Sequence, residues 1–270
     1  MTPTTNAPSS AERWGPLWGA RARDWAESEE QQVSTYQEAL RRLPPLAAGD
    51  RVLDIGCGAG VFLGLAAERG ARTAGIDASH NLIELARERV PGADLRVGAM
   101  ERLPWPDGSF DLVAGFNAFF FADDIVLALR EAGRVARPGA SIVIQVWGSP
   151  ERSDLEAVKR LLRPHMPSPP PSPGGPRPAL HEPGVLEELA SVAGLEPRLA
   201  FDHAWSFEYP DAEALGRLLV AAAGVGETAG PEREAELKSE IAEAVADTRA
   251  PAGGYRLRNE FHYLIARAPD

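Results

Sequence analysis

The 270-residue sequence contains a single cysteine, Cys57. No intramolecular disulfide can form, a cysteine-based zinc site is excluded, and a reducing, cytoplasmic setting is the simplest expectation. Long apolar runs are absent too. None approaches the ~20 residues that cross a bilayer, and residues 1–10 have no basic stretch followed by an apolar one, so neither a membrane partner nor a secretory signal is expected. Positive charge is in short supply. Lysine and arginine number 28 against 39 aspartates and glutamates, a formal net charge of −11, and the densest basic features are the pairs Arg41-Arg42 and Lys159-Arg160. Proteins that neutralise phosphates carry a basic face, so no nucleic-acid partner is expected. Histidine is scarce, with five in all, which leaves few side chains that titrate near neutral pH.

What is present is enough apolar content, 44%, to bury the core of one large domain with an added cap. Residues 1–13 are polar and rich in Pro, Ser and Thr, as in a disordered tail. Residues 14–49 read as an N-terminal helical cap running to about Arg42, and Trp14, Trp18 and Trp25 fall close together in it. From residue 50 to 150, short β-rich runs (51–55, 72–76, 94–97, 110–114, 141–147) alternate with helical ones (61–69, 82–88, 125–135). That alternation predicts βαβ units and a parallel sheet covered on both faces. Arg137-Pro138-Gly139-Ala140 is expected to turn the chain between a helix and the next strand. Residues 151–270 form a second half, with a Pro-rich loop at 164–178 that cannot be regular structure, acceptor-side helices and final strands at 198–209 and 260–266. The loop reads as a linker or lid near a site mouth, or as a plain surface excursion.

The most informative stretch is Val52-Leu53-Asp54-Ile55-Gly56-Cys57-Gly58-Ala59-Gly60. An apolar strand runs into a glycine turn that opens a helix, at the carboxyl end of the first strand, where open α/β sheets bind ligands. Glycine allows the sharp turn and a close ligand approach. Asp77 ends the second strand, placed to accept hydrogen bonds from both hydroxyls of a ribose. A dinucleotide loop wants a third glycine where Val61 stands. Asp54, two residues before the first glycine, would repel a pyrophosphate but attract the ammonium and sulfonium of S-adenosylmethionine.

With these residues in place the sequence resembles the class I S-adenosylmethionine-dependent methyltransferases, in the small-molecule group that includes the ubiquinone and menaquinone enzymes. The resemblance covers about residues 14–147 well and the remainder loosely. Residues 52–60 match the first family motif, which brings Asp54, Gly56, Cys57 and Gly58 to the cofactor. Gly75-Ile76-Asp77-Ala78-Ser79 matches the second, with Asp77 as ribose ligand and Ala78 beside it. The resemblance further implies that Leu82 packs near the adenine, that Met100 lies on its edge, that the Met100 backbone or Glu101 meets its amino group, and that Asn117 faces the methionine moiety. Trp18 and Trp25 would close over the cofactor. The implied fold is α/β, a Rossmann-like doubly wound sheet of about seven strands, mostly parallel with an antiparallel last strand beside the fifth, plus helical N-terminal and C-terminal caps.

Methyl transfer from a sulfonium is an in-line displacement, so positioning of the nucleophile dominates. A base is needed only where the acceptor must lose a proton. No catalytic residue stands out among His80, His165, His181, His203 and His262. No metal is expected, since Asp123-Asp124 suits a helix start. The acceptor is expected to be a small hydrophobic or aromatic molecule in an apolar pocket, lined by Phe119, Phe120, Trp147, Trp205 and Tyr255. A protein that binds S-adenosylmethionine without methylating, or a partner subunit, is an open alternative, as is an NAD-linked enzyme. A monomer or homodimer fits either.

Overall fold

Period-two burial builds the sheet. In β1 (Arg51–Ile55), Val52 faces one core while Leu53 and Ile55 face the other. The remaining strands are β2 (Arg72–Asp77), β3 (Asp94–Val97), β4 (Phe110–Phe116), β5 (Ala136–Trp147), β6 (Glu196–Tyr209) and β7 (Tyr255–Arg267). The computed structural model of the chain describes residues 9–165, 177–223 and 225–269, so most of the Pro-rich segment 164–178 and the tail residues 1–8 lie outside the described residues.

The sheet has seven strands in the order β3-β2-β1-β4-β5-β7-β6. Strands β1 to β5 pair in parallel, whereas β7 runs antiparallel between β5 and β6. This is the Rossmann-like arrangement expected from the sequence, including the antiparallel last strand beside the fifth. The chain steps outward from β1 to β3 and returns to place β4 against β1. The carboxyl ends of β1 and β4 therefore flank the point where strand order reverses, which is where such sheets open a crevice.

The helices cover both faces. α4 (Val61–Ala67), α5 (His80–Arg89), α7 (Leu155–Leu162), α9 (Ala212–Ala222) and α10 (Gly226–Ala244) contribute to one core with Val52, Phe116, Val143 and Tyr263. α6 (Ile125–Val135) and α8 (Val185–Val192) contribute to the other with Leu53, Ile55 and Ile142. Among the described residues no helix is long and apolar enough to cross a membrane. The turn expected at 137–140 is absorbed into β5. Gly139 sits there at φ 72° and Ala136 already pairs with Phe110, so the glycine makes a bulge rather than ending the strand.

The N-terminal cap differs most from expectation. Its helix begins at Ser10, inside the segment read as a tail, because Ser9 and Glu12 form a reciprocal capping box. The stretch to Arg42 is three helices, α1 (Ser10–Ala20), α2 (Ala22–Glu30) and α3 (Val33–Arg41). No glycine or proline stands at Gln31-Gln32, where α2 ends. Tertiary contacts hold that break. Trp205 on β6 donates its indole N–H to the Gln31 carbonyl at 3.0 Å, and the Glu208 N–H donates to Gln31 Oε1 at 2.6 Å.

Candidate active site

Beyond β1 the chain turns through Gly56, Gly58 and Gly60 at φ 73°, 52° and 83°, left-handed values that crowd any β-carbon. The turn hangs from β2. The N–H groups of Gly56 and Cys57 both donate to the Ile76 carbonyl, at 2.8 and 3.0 Å. Asp77 then ties the loop to the next helix: the Gly58 N–H donates to its Oδ2 at 3.0 Å and the Ser79 N–H to its Oδ1 at 2.8 Å. α1 lies directly over this corner. A β-carbon at Gly15 would fall 2.3 Å from the Ala78 carbonyl oxygen, so only glycine allows that approach.

Two further carboxyls converge on the loop. Glu29, buried at the end of α2, accepts from the Ala59 N–H at 2.8 Å and the Val61 N–H at 3.3 Å. Asp54, buried at the end of β1, has an Oδ1 with no hydrogen-bond partner among the described residues. Burial pushes the Glu29 carboxyl up to about 8, against its two amide donors and the charge of Arg89, with Asp77 adding to the push. Burial likewise raises Asp54, helped by Glu29 and Asp77, and raises Asp77 against the N–H groups that bind it. Asn117, just past β4, is the one non-glycine at positive φ among the described residues, at 51°. Its side chain turns toward the start of α3, where Nδ2 donates to Gln32 Oε1 at 3.2 Å, and its buried Oδ1 has no partner among the described residues.

These groups share a cavity of about 460 Å³. Ten of the twelve residues expected at the cofactor line it: Trp18, Trp25, Asp54, Gly56, Gly58, Asp77, Ala78, Leu82, Met100 and Asn117. Cys57 and Glu101 do not. The Cys57 thiol turns back against Gly75. Glu101 is engaged in structure, accepting from Ser10 Oγ and from the Asp123 N–H, each at 2.6 Å, so it fastens α1 to the loop after β4. Of the five residues expected at the acceptor, Phe120 and Trp147 line the cavity. Phe119 is fully buried against Gly115, Trp205 holds the α2–α3 break, and the Tyr255 hydroxyl accepts from Arg249 Nε at 3.1 Å. None of the five histidines is among the lining residues.

Residues 53–144, the segment that carries the glycine loop, Asp77 and Asn117, match the family of the methyltransferase domain. Residues 53–144 thus carry a methyltransferase domain. The chain is 36% identical over 163 residues to 27-O-demethylrifamycin SV methyltransferase of Amycolatopsis mediterranei, covering 54% of this chain and 59% of that protein. It is 31% identical over 107 residues to a malonyl-[acyl-carrier protein] O-methyltransferase of Serratia marcescens, covering 40% and 42%. The matches thus span about half the length of these curated relatives. Among solved structures, the [4+2]-cyclase SpnF superposes with a TM-score of 0.60 at 20% identity, covering 97% of this chain and 98% of that one. That likeness is one of fold, and fold does not name chemistry.

S-adenosylmethionine is the cofactor of this methyltransferase family, and the donor set suits it. The unpartnered oxygens of Asp54 and Asn117 are buried acceptors beside two further carboxyls, Glu29 and Asp77, a set that suits a ligand bearing N–H donors and positive charge and gives a pyrophosphate no cationic partner. Asp77→Ala is expected to weaken S-adenosylmethionine binding by about 1.5–3 kcal/mol, the loss of a charge-assisted hydrogen bond, as read by calorimetry. Unchanged affinity would contradict the ribose role that the family resemblance implies for Asp77.

Sequence reasoning missed Glu29, Gln32 and Tyr36, which also line the cavity. Their signal is a helical stripe, Trp25-Glu29-Gln32-Tyr36, spaced 4, 3 and 4 residues apart. Two polar residues on an otherwise aromatic stripe mark a buried face that meets something polar.

Proposed function

We propose that the protein transfers a methyl group from S-adenosylmethionine to a small hydrophobic or aromatic metabolite. The observation that carries this reading is the single cavity that joins the acidic glycine-loop end to an apolar end formed by Trp147, Leu155, Val158, Leu162 and Leu219. When bound, S-adenosylmethionine supplies a methyl carbon made electrophilic by its sulfonium. Asp77 would hold the ribose hydroxyls, while the free oxygens of Asp54 and Asn117 would accept from the amino group. Leu82 and Met100 would flank the adenine. Trp18 and Trp25, whose rings meet at 4.9 Å, would close the cofactor end and exclude water.

The acceptor side then has to aim a nucleophile along the bond that breaks, the contribution at which a shaped pocket excels. The absence of a histidine from the lining favours an acceptor whose nucleophile is already deprotonated at neutral pH, or one that loses its proton to solvent.

Calorimetry with S-adenosylmethionine, followed by a metabolite screen that reads S-adenosylhomocysteine release, tests this. Binding in the micromolar range and turnover with at least one apolar metabolite are expected. Failure to bind the cofactor would sink the proposal. Tight binding without turnover across a broad panel would instead favour a non-methylating cofactor-binding protein.

A further inference from the structure

The chain has only two lysines, Lys159 and Lys238, among its 28 basic residues. Lys238 is paired in the ordinary way, with Glu213 at 3.0 Å and Glu234 at 3.5 Å. Lys159 is not. It stands on α7 between the buried Val158 and the buried Leu162, lines the apolar end of the cavity, and has no carboxylate within ion-pairing distance among the described residues. Its Nζ lies over the Trp147 ring, 4.5 Å from the centroid. The Trp147 ring is itself wedged against Phe261 at 5.0 Å, so the ammonium sits on an aromatic floor. The charged and titratable groups that act on it are Glu156, one turn back on its own helix, and Arg163, one turn on. Burial pushes the lysine pKa down, and Arg163 pushes the same way against Glu156. A partly desolvated ammonium in a pocket is costly until an anion or a strong acceptor meets it, and a single aromatic face compensates only in part.

We propose that Lys159 anchors the acceptor and that the acceptor is an apolar acid, a singly charged carboxylate on a hydrophobic body laid against Trp147 and the leucines of α7 and α9. This rests on the reading of the apolar end of the cavity as the acceptor side. Arg163 also lines the cavity, but it is largely exposed and lies 3.8 Å from Glu156, so Lys159 is the more buried cation at this end, and one lysine among leucines and a tryptophan matches one negative charge. A phosphate dianion calls for several donors converging on it. The lysine acts by binding and orientation. It holds the acid at one end of the pocket and so sets which atom of the apolar body reaches the donor end.

The test uses the full-length protein, with and without saturating S-adenosylhomocysteine, and two matched probe pairs: decanoate with decanamide, and 3-phenylpropanoate with its primary amide. Affinities are measured by ligand-observed NMR. In the wild type, one acid at least is expected to bind tenfold or more tightly than its amide. Lys159→Met should bring that acid to the level of the amide, and Lys159→Arg should keep most of the preference. S-adenosylhomocysteine should bind all three proteins alike, which reports that each is folded. The proposal is overturned if acids and amides bind equally, if no acid binds, or if Lys159→Met keeps the preference. Acids that depend on Lys159 in a protein that fails to bind S-adenosylhomocysteine would leave the anchor standing and remove the methyltransferase reading. Cofactor binding without any acid preference would do the opposite.

Discussion

Gly58→Val is expected to abolish S-adenosylmethionine binding and to destabilise the fold by about 2–4 kcal/mol. The cost has two sources. Gly58 sits at φ 52°, a conformation that a β-branched residue adopts only under strain. Its new β-carbon would also lie 2.7 Å from Glu29 Oε2. That oxygen cannot simply swing aside, because it is bound to the Ala59 N–H and its partner oxygen to the Val61 N–H. The substitution therefore breaks the contact between α2 and the start of α4 and leaves buried amides unpaired. Thermal unfolding should show the loss of stability, and calorimetry the loss of the cofactor. Gly58→Ala separates the two effects, since it keeps the steric conflict at the β-carbon with less strain at φ. A Gly58→Val protein that binds the cofactor normally would mean that the loop faces elsewhere.

The second large effect is a pH dependence centred on Glu29. Its carboxyl is pushed from 4.5 to about 8 in the fold, so the folded protein binds a proton more tightly than the unfolded chain. This contribution to stability is fully present below about 4.5 and is lost as pH rises through about 8. At about 1.4 kcal/mol for each pKa unit, the loss across that window is on the order of a few kcal/mol. Asp54 and Asp77 shift in the same direction and steepen the fall. Urea unfolding of the cofactor-free protein at pH 5.5 and pH 8.5 should show the lower stability at pH 8.5. Glu29→Gln stays neutral and should flatten the profile. A cationic cofactor lowers the pKa of the same carboxyls, so its binding should release protons and tighten as pH rises from 5.5 to 8. Calorimetry in buffers of different ionisation enthalpy reads that release. A stability profile flat over this range in the wild type would rule out a protonated, buried Glu29.

The alternation of strands and helices and the glycine loop after β1 were legible because they depend on local rules, whereas the antiparallel last strand beside the fifth followed from the family resemblance. Period-two apolar runs and glycines at left-handed positions carry their meaning within a few residues, and the helix at Ile125–Val135 matches expectation at both ends. The N-terminal cap was less legible for the opposite reason. No sequence breaker stands at Gln31-Gln32, and the break follows from hydrogen bonds to Trp205 and Glu208, more than 170 residues away. Trp205 thereby becomes a structural clamp, although its type and neighbourhood suit a pocket. Phe119 and Phe120 are adjacent in sequence yet differ in role. The short 3-10 turn at Phe119–Phe121 sends the first ring into the core beside Gly115 and leaves the second on the cavity.

By itself the sequence determined that residues 52–60 run from a strand through a glycine turn into a helix, with Asp54 beside the turn, because glycine spacing, strand pattern and charge are properties of neighbouring residues. Only the tertiary structure decided that Glu29 closes that turn from a helix outside it, that Cys57 and Glu101 are not among the residues lining the cavity, and that Lys159 is held over Trp147 with no carboxylate to pair it among the described residues. Those outcomes depend on which surfaces meet when α2, α7 and β5 pack around one crevice, and contacts of that range leave no short-spaced pattern in the chain.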